Sequence, residues 1–425
     1  MGVSRQLQGM FVLLFVGYLV TVYLRQAVSF ASPTIMESEQ LKNSDIGLML
    51  SSQMTGYMVV KFLGGTLVDV LDPGLTLSVS LCLAGLAAAA FTAQSSVVLF
   101  AGFWFLCGVA QGPAWAACGV MLKKNFPSDQ LATWWSVLST STNVAGTAGP
   151  LVSGFLIYYY NWKTAMLVAS SASVGLGLLC FLFLKSPTQD VSTDPGTDSA
   201  KDKSVRSGSV RDLLTPVPVT VYLTYLLVTV VRGACNDWGQ LYLIQDKGQS
   251  VGTGSGFISS QEIGGIVGSL ITGIISDYLV AKHSGRTTPR LYLVLSLTVL
   301  QTASLYLFVF HVSAQSSQVW ISALAFCVGF SMYSCISLLG ICSMEVAPES
   351  LSGTAHSMAA LGGNIGRVLA GYPLSVVATW WSWQESFYLA LAFSVASVAV
   401  TALGCKLLKD RYRRREEEEK KLKAS

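Results

Sequence analysis

The chain has 425 residues, of which 52% are hydrophobic and only 12% are charged, about half the charged fraction of a soluble domain. Of its 50 charged residues, 24 fall in 185–213 and 406–425; what remains is lipid-compatible, which excludes water-soluble enzymes as well as disordered and fibrous classes. The net charge of +4 is concentrated in the C-terminal tail and provides no basic groove for nucleic acid.

A helix crossing the hydrocarbon layer needs about 20 mostly apolar residues, because no water is available there to satisfy free backbone groups. That ruler predicts twelve spans, at 11–32, 46–68, 75–93, 97–122, 131–158, 164–184, 217–236, 254–281, 290–311, 318–343, 353–378 and 384–408. Within the first span, Ser29-Phe30-Ala31 has the form of a cleavage site, yet the embedded Arg25 and its counterpart in the seventh span favour a retained helix over a signal peptide. The second span closes on Gly65-Thr-Leu-Val-Asp69 and holds Lys61, which reads as snorkelling toward the interface. The fifth carries Asn143, and after the sixth comes the polar stretch Ser186–Asp212, too poor in apolar surface to order itself.

Arg232 lies in the seventh span, with Asp237 just past its end. The eighth holds Glu262, the one carboxylate well inside any span, and closes on Gly273-Ile-Ile-Ser-Asp277. The eleventh begins near His356 and carries Asn364 and Arg367, the last without explanation from the sequence. Trp380-Trp381-Trp383 reads as an interfacial aromatic belt. From Arg411 onward, basic and acidic blocks at helical spacing describe a solvated helix extension. The nine cysteines lie in or at the ends of spans without a Cys-x-x-Cys pair; they read as packing residues, and no metal site or cofactor is implied.

Alternating loops fix an orientation. Twenty Lys and Arg fall on one side and three on the other (Lys42, Lys163, Lys247), the remaining four lying inside spans; the positive-inside rule then puts both termini in the cytosol. The chain also repeats itself. Arg25 and Arg232 are 207 residues apart, the two Gly-x-x-x-Asp ends 208 apart, and Pro127…Thr133…Asn143 returns as Pro348…Thr354…Asn364 at an offset of 221. This gives an N-terminal six-helix bundle over 1–184, a cytosolic linker over 185–213, a C-terminal six-helix bundle over 214–408 and a tail over 409–425. Related halves of this kind are the architecture of a transporter with its site at the midplane between them. The carboxylates Asp69 and Asp277 suit caps on neighbouring helix N-termini at the cytosolic face.

An arginine at the bilayer centre costs at least ~2.5–3.5 kcal/mol on insertion scales, so it marks a partner or a wet cavity. Arg25 and Arg232 stand at matching depth in matching spans, with few acidic partners. Guanidinium forks fit phosphate oxygens bidentately, so the pair reads as a phosphate clamp; the competing reading is that each snorkels or, for Arg232, pairs with Asp237. No nucleophile–base pair, metal-ligand spacing or phosphate-cradling loop suggests an enzyme; Gly252-Thr-Gly-Ser-Gly256 makes a loop at the start of a span.

Tyr18-Leu-Val-Thr-Val-Tyr-Leu-Arg25, Trp134-Trp135-Ser-Val-Leu-Ser-Thr-Ser-Thr-Asn143, Val231-Arg232-Gly-Ala-Cys-Asn-Asp-Trp238-Gly-Gln and Gly353-Thr-Ala-His356 resemble the organophosphate:phosphate antiporter family of the major facilitator superfamily. The likeness covers about Leu13 to Leu408 and is nearest the animal endoplasmic-reticulum branch that carries glucose 6-phosphate. It implies an all-α membrane fold of 12 transmembrane helices in two six-helix pseudo-repeats. It also implies exchange of glucose 6-phosphate for inorganic phosphate by alternating access, functionally coupled to a luminal glucose-6-phosphatase. The family's helix-1 and helix-7 phosphate-binding cations correspond to Arg25 and Arg232, and a pocket tyrosine to Tyr18. Two departures stand out: Gln26 replaces a frequent second basic residue, and Arg232 is the bacterial choice. Asn143 and Asn364 suit either substrate or interhelical hydrogen bonds, His356 either substrate or interfacial packing, and Glu262 the balancing of a nearby arginine. Lys421 and Lys423, third and fifth from the end, resemble a dilysine retrieval signal. Alternatives are another phosphorylated sugar, glycerol 3-phosphate, or a non-transporting sugar-phosphate sensor.

Overall fold

A computed structural model of the chain describes residues 5–126, 131–184, 210–282, 288–348 and 351–424; within these, the side chains of 5–6, 62–70, 123, 131–133, 135–136, 210, 288, 352–353, 415–416 and 418–424 fall outside the described residues, among them those of Asp69, Lys421 and Lys423. In chain order the elements are α1 Arg5–Glu39, α2 Asn43–Val70, α3 Pro73–Thr92, α4 Val97–Gln111, α5 Ala114–Asn125, α6 Leu131–Tyr159 and α7 Trp162–Phe183. After a 3-10 turn at Val210–Leu214 come α8 Pro216–Gly233, a π-helical turn at Ala234–Trp238 and α9 Gly239–Gln245. The last five are α10 Val251–Lys282, α11 Thr288–His311, α12 Gln318–Glu345, α13 Ser352–Trp380 and α14 Trp383–Ala424. With α4–α5 and α8–α9 each forming one interrupted rod, these are the twelve rods the apolar pattern predicts.

The interruptions have local causes. Pro113 has no N–H to donate back to the preceding turn, so the fourth rod breaks at Gly112-Pro113, where the Gly112 N–H reaches Val109 O at 3.3 Å in a tighter turn. The seventh rod is longer than expected. The apolar pattern ends the seventh span at 236, but the π-turn takes up the extra residue and the buried Trp238, Leu241, Tyr242 and Leu243 carry the apolar face on to Gln245. Asp237, expected beyond the span, is therefore inside the rod and only 7% exposed. Among the described residues nine rods are long and apolar enough to span by themselves; the other three are α2, α6 and α13, the last two diluted by Ser139-Thr-Ser-Thr-Asn143 and Gly362-Gly363-Asn364.

The helices form two compact units. The first holds α1–α7 together with Asn236–Glu262 and Gly371–Trp383. Its core lies where Phe11, Leu14, Tyr18 and Val22, one stripe of α1, meet Leu77 and Leu81 of α3, Ala117, Cys118 and Met121 of α5 and Leu138 of α6. The two later segments dock on this group through specific bonds: Ser29 Oγ to Asp237 Oδ1 at 3.3 Å, Ser259 Oγ to Thr147 O at 2.9 Å, Tyr372 N to Ser51 Oγ at 2.7 Å and Ser44 N to Thr379 Oγ1 at 2.8 Å. Trp383 corrects the aromatic-belt reading. Trp380 and Trp381 are 74% and 70% exposed, as a belt requires, but Trp383 is 1% exposed. Its Nε1 donates to Gln245 Oε1 at 2.6 Å and its ring packs on Trp238.

The second unit holds α8 to Cys235, Ile263–Ala370 and α14 from Gln384. Here α8 and α11 each pack on α12, and Phe308 of α11 meets Phe387 of α14 edge to face. The tail continues α14 without a break to Ala424, with Arg413 Nε on Glu417 Oε1 at 3.1 Å one turn later.

Candidate functional site

Helical spacing puts both arginines on buried faces. The α1 stripe Phe11-Leu14-Tyr18-Val22 runs on to Arg25, near the middle of α1, while Val221, Tyr225 and Val228 lead to Arg232 on α8.

In the first unit, Arg25 lies over the Tyr57 ring of α2, its guanidinium carbon 4.1 Å from the ring centroid. Its Nε donates to Gln111 Oε1 at 3.0 Å, and that same oxygen accepts from Gln53 Nε2 at 3.4 Å. Arg25 Nη2 is buried and has no hydrogen-bond partner. A cation–π contact contributes about 0.5–2 kcal/mol and a hydrogen bond to a charged group about 1.5–3, together comparable to the insertion penalty of an arginine. Gly108 makes the arrangement possible, because a Cβ there would collide with the Gln53 carbonyl of α2. Tyr18, 5% exposed, packs at 51° on the Trp115 ring, the centroids 4.6 Å apart, and lies beside Arg25.

Lys61 is a correction. Its ammonium stands 5.2 Å from the centroid of the same Tyr57 ring, so it joins Arg25 in this pocket rather than snorkelling outward. Tyr57 and Lys61 are four residues apart and share a face of α2, a spacing visible in the sequence once Tyr57 is known to matter.

In the second unit, Arg232 lies 4.5 Å from the centroid of the Tyr333 ring of α12, and its Nη2 donates to Tyr333 Oη at 3.2 Å. A Cβ on Gly265 of α10 would lie 2.8 Å from Tyr333 Cγ, and one on Gly363 of α13 would strike the Tyr225 ring; both glycines make room for rings flanking Arg232. Arg367 also acquires a place, its Cδ 3.6 Å from where a Gly233 Cβ would stand, at the α8–α13 seam next to Arg232.

The other predicted residues are dispersed. Glu262, 2% exposed, accepts from Asn236 Nδ2 at 3.0 Å, and Asn236 in turn accepts from Gln261. A Cβ on Gly146 of α6 would lie 2.6 Å from Glu262 Cδ, one turn along from Asn143. Asn143 and Asn364 are half-buried, on α6 and α13. His356 is exposed and near the start of α13, its Nδ1 3.3 Å from Gly340 O of α12. Asp277 accepts from Arg290 Nη2 at 2.9 Å, and Arg290 Nε pairs with Glu345 Oε1 at 3.3 Å, so the expected helix cap is an ion pair in the first turn of α11. Sequence reading missed Tyr57, Gln53, Gln111, Tyr333 and Gly265, whose residue types carry no signal by themselves.

A family model described as Major Facilitator Superfamily matches residues 14–371. The chain is 30% identical to the probable hexose phosphate transport protein of Chlamydia pneumoniae, over 91% of this chain and 88% of that protein. It is 28% identical to the membrane sensor protein UhpC of Salmonella typhimurium, with the same coverage. Among solved structures it resembles a bacterial homolog of the human lysosomal transporter Spinster in an inward-facing, occupied conformation. The TM-score is 0.77 at 12% identity, covering 95% of this chain and 98% of that one, a likeness of fold alone.

Proposed function

The chain belongs to the Major Facilitator Superfamily, and on that premise we propose that it is an antiporter exchanging glucose 6-phosphate for inorganic phosphate across the endoplasmic reticulum membrane. The observation that carries this reading is that each half-repeat holds one mid-rod arginine on a tyrosine ring, with Arg25 Nη2 buried and awaiting an acceptor. The chemistry such a site seeks is a compact, multiply charged oxyanion. The 30% identity to a probable hexose phosphate transport protein supports a sugar phosphate as that anion. Substrate contacts are assigned to Arg25, Arg232, Tyr18, Asn143, Asn364 and His356, with Lys61 and Tyr57 added from the geometry. Asp69, Asp277 and Glu262 serve structure and gating. The functional halves are 1–184 and 214–408, joined by the 185–213 linker, and both termini are cytosolic. A luminal glucose-6-phosphatase would consume the delivered substrate.

Reconstituted proteoliposomes test this. Glucose 6-phosphate uptake is expected to require internal phosphate and to fall at least a hundredfold in Arg25→Ala and in Arg232→Ala, because removing a charge-assisted bidentate bond costs about 3 kcal/mol or more. Uptake unaffected by either substitution would sink the clamp. A second reading, a sugar-phosphate sensor, is favoured by the similarity to UhpC; it predicts ligand-induced thermal stabilisation without flux driven by internal phosphate.

A further inference from the structure

Spacings of three and four residues alternate along α14 and give it one outward and one inward face. Ala392, Val395, Ala399 and Ala402 are exposed on the first, while Ser394, Ser397, Thr401, Cys405 and Leu408 are buried on the second. The outward face then changes chemistry without changing direction: the next residues in the same sequence of steps, Lys406, Lys409 and Arg413, are exposed and basic. The inward face is tied down beside them, where Arg411 Nη1 donates to the carbonyl of Val346, the C-cap of α12, at 3.3 Å. At 3.6 residues per turn Arg411 stands on roughly the opposite side of the helix, so this anchor holds the three cations outward.

Length sets the depth of each residue. Residues 386–405 contain no charged side chain and cover about 30 Å, the thickness of the hydrocarbon layer. Lys406 and Lys409 follow within about 6 Å, inside a headgroup layer of about 5–8 Å. Arg413 lies about 12 Å out and reaches back with its long side chain. Six Lys and Arg fall in 406–415 against one Asp, and four Glu follow in 416–419. Because α14 runs unbroken to Ala424, the acidic block begins about 16 Å beyond the hydrocarbon, clear of the headgroups. Arg413 Nε meets Glu417 Oε1 at 3.1 Å with both side chains more than half exposed, a weak pair that a headgroup phosphate can replace.

We propose that Lys406, Lys409 and Arg413 form a docking surface for an anionic lipid where α14 leaves the bilayer, with Glu417 competing for Arg413. The continuity of the face selects this occupant. A lipid lays its acyl chains along Ala392 to Ala402 and its headgroup on the three cations, whereas a soluble anion or an acidic protein segment would use the cations alone. With the tail cytosolic, as the asymmetry of basic loops proposes, the surface meets the leaflet that carries anionic lipid.

The test counts lipids retained by the purified full chain, by native mass spectrometry, from neutral-detergent micelles holding equal amounts of phosphatidylserine and phosphatidylcholine. The wild type should retain phosphatidylserine preferentially. Lys406→Gln and Lys409→Gln should each lower that preference about fivefold, and more than tenfold together, in keeping with roughly 1 kcal/mol for each basic residue at the surface. Glu417→Gln, which releases Arg413, should raise it. These side chains are exposed, so the variants should melt with the wild type. Removing the same kind of charge beyond the acidic block, in Lys420→Gln with Lys421→Gln, should leave the preference unchanged. A wild type without preference, an equal loss in the Lys420 and Lys421 double variant, or displacement of bound phosphatidylserine by inorganic phosphate overturns the proposal. The proposed exchange uses other residues and stands or falls separately.

Discussion

At the scale of single residues, one tyrosine organises the first-half pocket. Arg25 lies 4.1 Å and Lys61 5.2 Å from the Tyr57 ring centroid. A ring quadrupole attracts each cation, which permits two like charges to stand near one another in a helix interior. Lys61→Gln is expected to raise the KM for phosphate about three- to tenfold in proteoliposome exchange, in line with a loss of roughly 1 kcal/mol, with Lys61→Arg retaining most of the wild-type value. An unchanged KM would return Lys61 to a snorkelling role. Arg25 and Arg232 were legible in the sequence because charges in spans are rare. Their partners were not, because a tyrosine or glutamine in an apolar stretch looks the same whether it faces lipid, core or a cation.

Among elements, close approach is set by glycines and secured at one end by ion pairs. Gly108 brings α4 onto α2 so that Gln111 reaches Arg25. A Cβ there meets backbone rather than a movable side chain, so Gly108→Val should cost about 1–3 kcal/mol through overpacking and lower the melting temperature of purified protein by several degrees. At the end of α10, the Asp277–Arg290–Glu345 network should respond in order of exposure. The side chains of Asp277, Glu345 and Arg290 are 75%, 30% and 10% exposed, and exposed pairs contribute about 0–1 kcal/mol. The fall in melting temperature is thus expected to rise from Asp277→Ala through Glu345→Ala to Arg290→Ala; the reverse order would show that burial does not govern this network. The Gly-x-x-x-Asp ends pointed to the right place on α10, but the partner, Arg290, lies 13 residues on, outside any local pattern.

For the whole molecule, the apolar lengths determined the twelve rods, and the asymmetry of basic loops proposes their orientation. That orientation predicts that an Asn-Gly-Thr sequon inserted after Lys247 is glycosylated in microsomes and one inserted at 283–287 is not; glycosylation at the second site alone would invert the topology. Sequence order divided the chain six rods to six. The first compact unit nonetheless gathers Asn236–Glu262 and Gly371–Trp383 from the second half, through bonds such as Tyr372 N to Ser51 Oγ that connect residues hundreds of positions apart.

What the sequence determined by itself follows from solvent: hydrocarbon demands long apolar helices and penalises charge, so spans, loops and the two unusual arginines stand out in one dimension. Only the tertiary structure decided what those arginines touch. Packing brings an amide from the fourth rod to Arg25 and a phenol from the tenth to Arg232, and a glycine with no side chain of its own makes room for the second.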